Sequence, residues 1–289
     1  MELSFELWYL FPISVLIATL AMSSGIGGAV FFSPLFMLGL KLDPMVAVGT
    51  ALITELFGFS SGLVAYVKAR LIDYKLGLNL LLFSVPLAIL GTLFGSEVPP
   101  DILKTIFAVG IVFIGTQLFT SWRKEEREKQ ESERREEYKT IYERLLVDKS
   151  GKEYKYTVCQ KSMGRFFAGI GGAFVGLISV GLAELQEYHL VAKCKIPAPV
   201  AVATSIFVVV VTVLVASIGH FYEFIAHAEN EGLNQVFNVI LYTIPGVIIG
   251  GQIGPSLQKK LPEDVMKIGV SVLFIVVGGL MLFTLMKSE

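Results

Sequence analysis

Apolar residues run along this chain in long blocks separated by short polar stretches. Eight blocks stand out: Leu7–Met22, Val46–Val67, Leu76–Phe94, Ile102–Ser121, Phe166–Leu182, Val200–His220, Val236–Ile253 and Val265–Met286. Several reach the roughly 20 residues that a helix needs to cross the hydrocarbon core of a bilayer, so the pattern predicts a bundle of membrane helices. The first block has neither a basic flank nor a small-residue cleavage site and is read as a retained helix, not a signal peptide. Two shorter blocks interrupt the series. Ala29–Leu40 follows the Gly25–Gly28 stretch and holds only 12 residues, too few to span upright but suited to a half-helix; Ala183–Cys194 is its equivalent.

That equivalence is part of a duplication. Val46-Ala47-Val48-Gly49-Thr50 recurs 154 residues later as Val200-Ala201-Val202-Ala203-Thr204, and the same offset places Ser23–Gly28 over Leu177–Leu182. Pro86, Gly91 and Gly95 match Pro245, Gly250 and Gly254 at an offset of 159, and Val98-Pro99 and Asp101 match Leu261-Pro262 and Asp264 at 163. Duplicated bundles with Gly-interrupted segments at corresponding places are the sequence mark of a transporter whose site lies between the repeats. The fold expected is therefore an all-α polytopic membrane protein. It has two repeats, each a Gly-broken re-entrant hairpin followed by three spanning helices. Residues 1–121 form the first repeat, 122–160 a charged linker and 161–289 the second repeat.

Composition agrees: 54% of the 289 residues are hydrophobic and the mean hydropathy of +0.67 lies well above that of a soluble domain. The net charge of −1 carries no message, because the charges sit in loops. Their placement does. The segment Arg123–Arg165 holds 13 of the 24 Lys and Arg residues, which argues that it faces the cytoplasm. With the repeats inverted, eight further basic residues share that side (Lys68, Arg70, Lys75, Lys193, Lys195, Lys259, Lys260 and Lys267), and three (Lys41, Lys104 and Lys287) lie outside. With parallel repeats the balance is four to seven. Inversion fits better, and it places both termini outside a plasma membrane.

The linker reads as a solvated helix, with opposite charges at i,i+4, followed by a hairpin turning at Asp148-Lys149-Ser150-Gly151. Cys159 and Cys194 lie near the basic side, where a structural disulfide is not expected, and are read as ordinary thiols.

A broken membrane helix leaves backbone N–H groups without partners, and lipid cannot supply them. At a half-helix N-terminus such groups attract anions. Ser24, Gly25, Gly27 and Gly28 can form one cradle of this kind, Ser179 and Gly181 a second, and Thr50 and Thr204 can add hydroxyls. Glycines that merely let helices approach closely are the competing reading. Ionisable residues inside membrane segments are expensive and point to function. Glu55 and Glu184 are the proton-coupling candidates, against structural hydrogen bonds across helices as the alternative. Glu187 and His189 also fit a helix end in water, and His220, Glu223 and His227 fit a solvated loop better than a metal site. No nucleotide, nucleophile or metalloprotease motif is present, so no catalytic residue, resident metal or cofactor is expected, and no nucleic acid partner.

The stretch Ser23-Ser24-Gly25-Ile26-Gly27-Gly28 with Ser33-Pro34 and Ala47-Val48-Gly49-Thr50 resembles the TauE/SafE sulfite-exporter family of membrane permeases. The second half is similar in the form Ser179-Val180-Gly181-Leu182-Ala183-Glu184 with Ala201-Val202-Ala203-Thr204. The resemblance covers nearly all of the chain outside residues 122–160. It departs from the family at Ala29, where a third Gly is common, and in the long charged linker. It implies transport of a small anion such as sulfite, sulfoacetate or a related sulfur-containing or organic anion. The expectation is thus a secondary transporter with its site between Ser24–Gly28 and Ser179–Gly181, worked by one half rocking against the other. A cation or metal transporter using the buried carboxylates, and a sensor or scaffold acting through the linker, are the alternatives. Substrate, direction and any homo-oligomeric state stay open.

Overall fold

Asp43 starts the first long helix in a way that short-range chemistry explains. Its carboxylate accepts the Met45 N–H at 3.0 Å and Pro44 fills the first turn, where a missing N–H does no harm. The computed structural model describes residues 5–24, 27–95, 97–132, 144–159, 161–227, 230–258 and 263–288. Along them run α1 (Leu10–Ser24), α2 (Ala29–Pro34), α3 (Pro44–Ala69), α4 (Tyr74–Gly95) and α5 (Pro100–Ser132), then β1 (Arg144–Val147) and β2 (Glu153–Tyr156). The second half supplies α6 (Lys161–Ile178), α7 (Leu182–Glu187), α8 (Ala198–His227), α9 (Asn230–Gln258) and α10 (Glu263–Ser288). The all-α membrane fold is as the sequence predicts. Spans within α3, α4, α5, α8 and α9 are long and apolar enough to cross a bilayer, while Leu10–Ser23, Ala29–Gly39 and Ser271–Thr284 are shorter apolar stretches. Large apolar side chains such as Leu82, Phe113, Ile218 and Phe283 point outward, a surface that suits lipid and not water.

Each short helix runs on into a π turn, Leu35–Gly39 after α2 and Tyr188–Lys193 after α7. Pro34 is not the common cause, because Tyr188 stands at the corresponding place in the second copy. The two turns close with the same bonds at the 154-residue offset. Leu40 N–H donates to Leu35 C=O (3.3 Å) and Cys194 N–H to His189 C=O (3.0 Å); Leu42 donates to Phe36 (3.0 Å) and Ile196 to Leu190 (2.9 Å). Lys41 and Lys195 then take the left-handed conformation, with φ of 55° and 53°.

The helices of the two sequence halves interlock. α1 packs along α9, α4 along α6, α3 along α8 and α5 along α10. Exchanging the halves turns the first pairing into the second and leaves the other two unchanged. Glycine permits the closest approaches: a Cβ at Gly91 would lie 2.1 Å from Ala173 O on α6, and one at Gly250 2.5 Å from Val15 O on α1. Small residues matter here because backbone contact replaces the missing hydrophobic drive between membrane helices. Ser84 bonds Thr212 (2.9 Å) between α4 and α8, and Thr243 bonds Thr54 (3.0 Å) between α9 and α3.

The linker opens as the helix expected of it, continuous with α5 to Ser132; one reading of it needs correction, because the hairpin is docked instead of simply solvated. Lys149 N–H donates to Ala69 C=O at 3.0 Å. Arg144 pairs with the buried Asp73, which also accepts the Tyr156 hydroxyl at 2.8 Å and the Leu76 N–H at 2.9 Å. The cysteines are not free thiols: Cys159 and Cys194 form a disulfide. Spacing along the chain could not reveal it, because docking of the linker end against the second π turn is what brings the two together.

Candidate functional site

The two breaks face each other. On the first side, Gly28 precedes α2 and accepts the Phe31 and Phe32 N–H groups on its carbonyl. On the second, Gly181 opens α7 with a φ of 110°, a conformation that an L side chain resists and glycine adopts freely. Ser179, two residues earlier, is left-handed as well at φ 61°. Its hydroxyl donates to Ile178 C=O at 2.6 Å. The Ser33 hydroxyl, 2.7 Å away, therefore donates to Ser179 Oγ, which makes a direct bond between the broken segments of the two halves.

Carboxylates fill the space between them. Glu184 Oε1 accepts the Gly27 N–H and Oε2 accepts the Gly181 N–H, both at 3.1 Å, so one side chain joins the two breaks. Glu55, on α3, accepts the Ala29 N–H through Oε1 at 3.2 Å. A Cβ on Gly27 would sit 3.2 Å from Glu55 Oε1 and 3.3 Å from Glu184 Oε1, so any side chain there would press both carboxyl groups back by a few tenths of an ångström. Both glutamates are 3% exposed. In this state the backbone donors hold the protein's own carboxyl groups.

The other sequence-derived candidates divide. Gly27, Gly28, Ser179 and Gly181 lie at this junction with Glu55 and Glu184. Gly25 and the Ser24 side chain fall outside the described residues. Thr50 and Thr204 are fully buried, but their hydroxyl bonds lead elsewhere: Thr50 donates to Val46 C=O in its own helix at 2.6 Å, and Thr204 accepts the Asp73 N–H at 3.0 Å. Glu187 and His189 are buried and not at a wet helix end. His220 also departs from the solvated-loop reading: it is buried, and its Nε2 donates to Gly176 C=O on α6 at 2.9 Å. The side chains of Glu223 and His227 lie outside the described residues.

Two residues escaped the sequence analysis. Ser33 was visible only as part of a motif, and nothing in its spacing revealed a partner in the other half. Gln186 is buried with neither amide atom bonded among the described residues; its position between Glu184 and Glu187 on a half-helix was the available signal. A separate apolar cavity of about 360 Å³ lies beside the first break, lined by Val30, Phe31, Leu35, Ile111 and Phe274 among others. Those walls offer an anion no donor.

Comparison with known proteins agrees with this architecture. The family described as Sulfite exporter TauE/SafE matches residues 10–281. The probable membrane transporter protein YunE of Bacillus subtilis (strain 168) is 25% identical over 261 residues, covering 88% of this chain and 89% of that protein. The probable membrane transporter protein YjnA of the same organism is 25% identical over 257 residues, covering 84% and 88%. No solved structure matches.

Proposed function

The chain belongs to the TauE/SafE sulfite exporter family, and from that premise we propose a secondary transporter that exchanges a small anion, a sulfur oxyanion or organosulfonate, against the carboxylates at its two breaks. The coarser statement needs no proposal: it is a multi-pass membrane transporter and not an enzyme. The observation that carries the finer reading is Glu184 held by Gly27 N–H and Gly181 N–H. Backbone donors that accept a carboxylate accept an oxyanion through the same geometry, because both present charged oxygens to N–H groups at a helix start.

The cycle follows from competition. Protonation removes the charge that holds a carboxyl against these donors, and the side chain swings away. The substrate anion takes the vacated N–H groups, with the Ser33 and Ser179 hydroxyls beside it. Release on the far side lets the carboxylate lose its proton and return. One anion thus moves with a proton on Glu184 or Glu55. The repeats are inverted in the plane of a plasma membrane, the linker is cytoplasmic, and no resident cofactor takes part.

Uptake into proteoliposomes of sulfite, thiosulfate, sulfoacetate, chloride and divalent metals, with and without a pH gradient, tests this. Saturable movement of a sulfur anion is expected, driven by the gradient in the wild type and insensitive to it in the Glu55→Gln/Glu184→Gln double variant. The convergence of Glu55 and Glu184 on Gly27 also favours a second reading, a cation held between two carboxylates. Movement of a metal with no anion, abolished in Glu55→Gln and Glu184→Gln, would replace the first reading by the second.

A further inference from the structure

The described part of the chain holds one cluster of soft ligands, and the transport site does not use it. Cys159 lies at the end of the linker just before α6, Cys194 closes the second π turn, and His189 lies inside that turn. One ligand atom from each falls within 4.8 Å of the others. His189 Nε2 is 3.5 Å from Cys194 Sγ, which is about the N···S edge of a tetrahedron with metal–nitrogen bonds of about 2.0 Å and metal–sulfur bonds of about 2.3 Å. His189 Nδ1 is buried without a hydrogen bond among the described residues, so once the sulfurs are thiolates nothing there opposes the tautomer with its proton on Nδ1, and Nε2, which already faces Cys194 Sγ, presents its lone pair to a metal. Gly164 keeps that nitrogen open: a Cβ there would stand 2.9 Å from it.

We propose that reduced Cys159 and Cys194, together with His189, form a binding site for a soft divalent cation of the zinc type, and that the disulfide is its oxidised, metal-free state. Two equivalents of a low-molecular-weight thiol break the S–S bond, giving two cysteine thiols and one external disulfide. Metal binding then forms two metal–thiolate bonds and releases two protons. Two sulfurs no longer bonded to each other settle at van der Waals separation, which is also the S···S edge of a dithiolate site. Three protein donors leave a fourth position for water. Both states clip the linker to the π turn that follows Glu184, so this end of the molecule stays fastened in reducing and oxidising surroundings alike.

The full-length protein in detergent micelles tests the proposal. Treatment with a phosphine reductant followed by thiol titration under native conditions is expected to expose two thiols. Cobalt(II) added after desalting is expected to bind at one equivalent, with thiolate-to-cobalt charge-transfer bands and a tetrahedral d–d pattern that zinc abolishes. The oxidised protein is expected to show neither. Zinc affinity, read against a chromophoric chelator, should fall in the Cys159→Ser/Cys194→Ser double variant by at least the roughly 100-fold that loss of an outer-sphere partner can cost. His189→Ala, monodisperse on gel filtration, should lose the tetrahedral pattern. A disulfide that yields no thiols in the folded protein, a reduced wild type without thiolate–cobalt bands, or a double variant that binds zinc undiminished would each overturn it.

Discussion

Gly181 and Glu184 show how much one residue can fix. Gly181 holds a φ of 110°, and an added Cβ would lie 3.3 Å from Phe174 Cβ. Gly181→Ala is expected to destabilise the protein by about 1–3 kcal/mol, the range for a residue forced into a sparsely populated conformation. It should also weaken anion transport, because the N–H offered to Glu184 moves with the backbone. Thermal unfolding in detergent, run beside Gly269→Ala, where a Cβ meets nothing within 4 Å, separates backbone strain from a general intolerance of side chains; equal stability of the two variants would refute the assignment. The glycines and glutamates of this site were legible in the sequence because breaks and charges are rare in apolar blocks. What they bond was not. Hydrogen bonds from Gly27 to Glu184 and from Ser33 to Ser179 join residues 157 and 146 positions apart, and a donor looks the same in sequence whether it waits for a ligand or already holds a carboxylate.

Elements were predicted more closely than their contacts. The apolar blocks marked the long helices, and the two short blocks became α2 and α7 with their π turns. The hairpin turned at Asp148–Gly151 as its residue types demand. Its docking escaped notice because Asp73, Arg144 and Tyr156 are ordinary residues in ordinary loops until the fold brings them together. The turn itself is sensitive to acid. The Ser150 hydroxyl, foremost, holds the Asp148 carboxyl below its usual range, with the Lys152 and Ser150 N–H groups acting in the same direction and partial desolvation opposing them. A folded-state pKa below the unfolded one contributes stability above the unfolded pKa, and that contribution is lost as pH falls through the folded value. Amide exchange protection at Ser150 and Lys152 is therefore expected to hold near neutrality and to collapse below about pH 4, while in Asp148→Asn it stays low and flat. Wild-type protection that persists to the acid end would contradict the role given to the carboxylate.

At the scale of the whole molecule, interlocking changes what can move. The sequence suggested one half rocking against the other, yet α1 lies on α9 and α4 on α6 with glycine-mediated backbone contact. Bodies able to move as units must mix the two halves, for instance α1 with α9 against α4 with α6, across the α3–α8 seam. Cutting the chain between residues 133 and 143 should then give two fragments that co-purify after joint expression, whereas either alone aggregates; a monodisperse single half would argue for separable domains. The carboxylates carry a further consequence. They are not repeat partners: the 154-residue offset places Val30 at the counterpart of Glu184 and Val209 at the counterpart of Glu55. Under the proposed inverted arrangement, ideal symmetry would relate the outward-facing and inward-facing forms by a two-fold rotation about an axis in the membrane plane and give them equal energy, so that nothing favours one resting side. Two unmatched glutamates would lift that degeneracy, giving the empty transporter a preferred orientation and, with the proposed proton coupling, making its two mouths unequal in their response to protons.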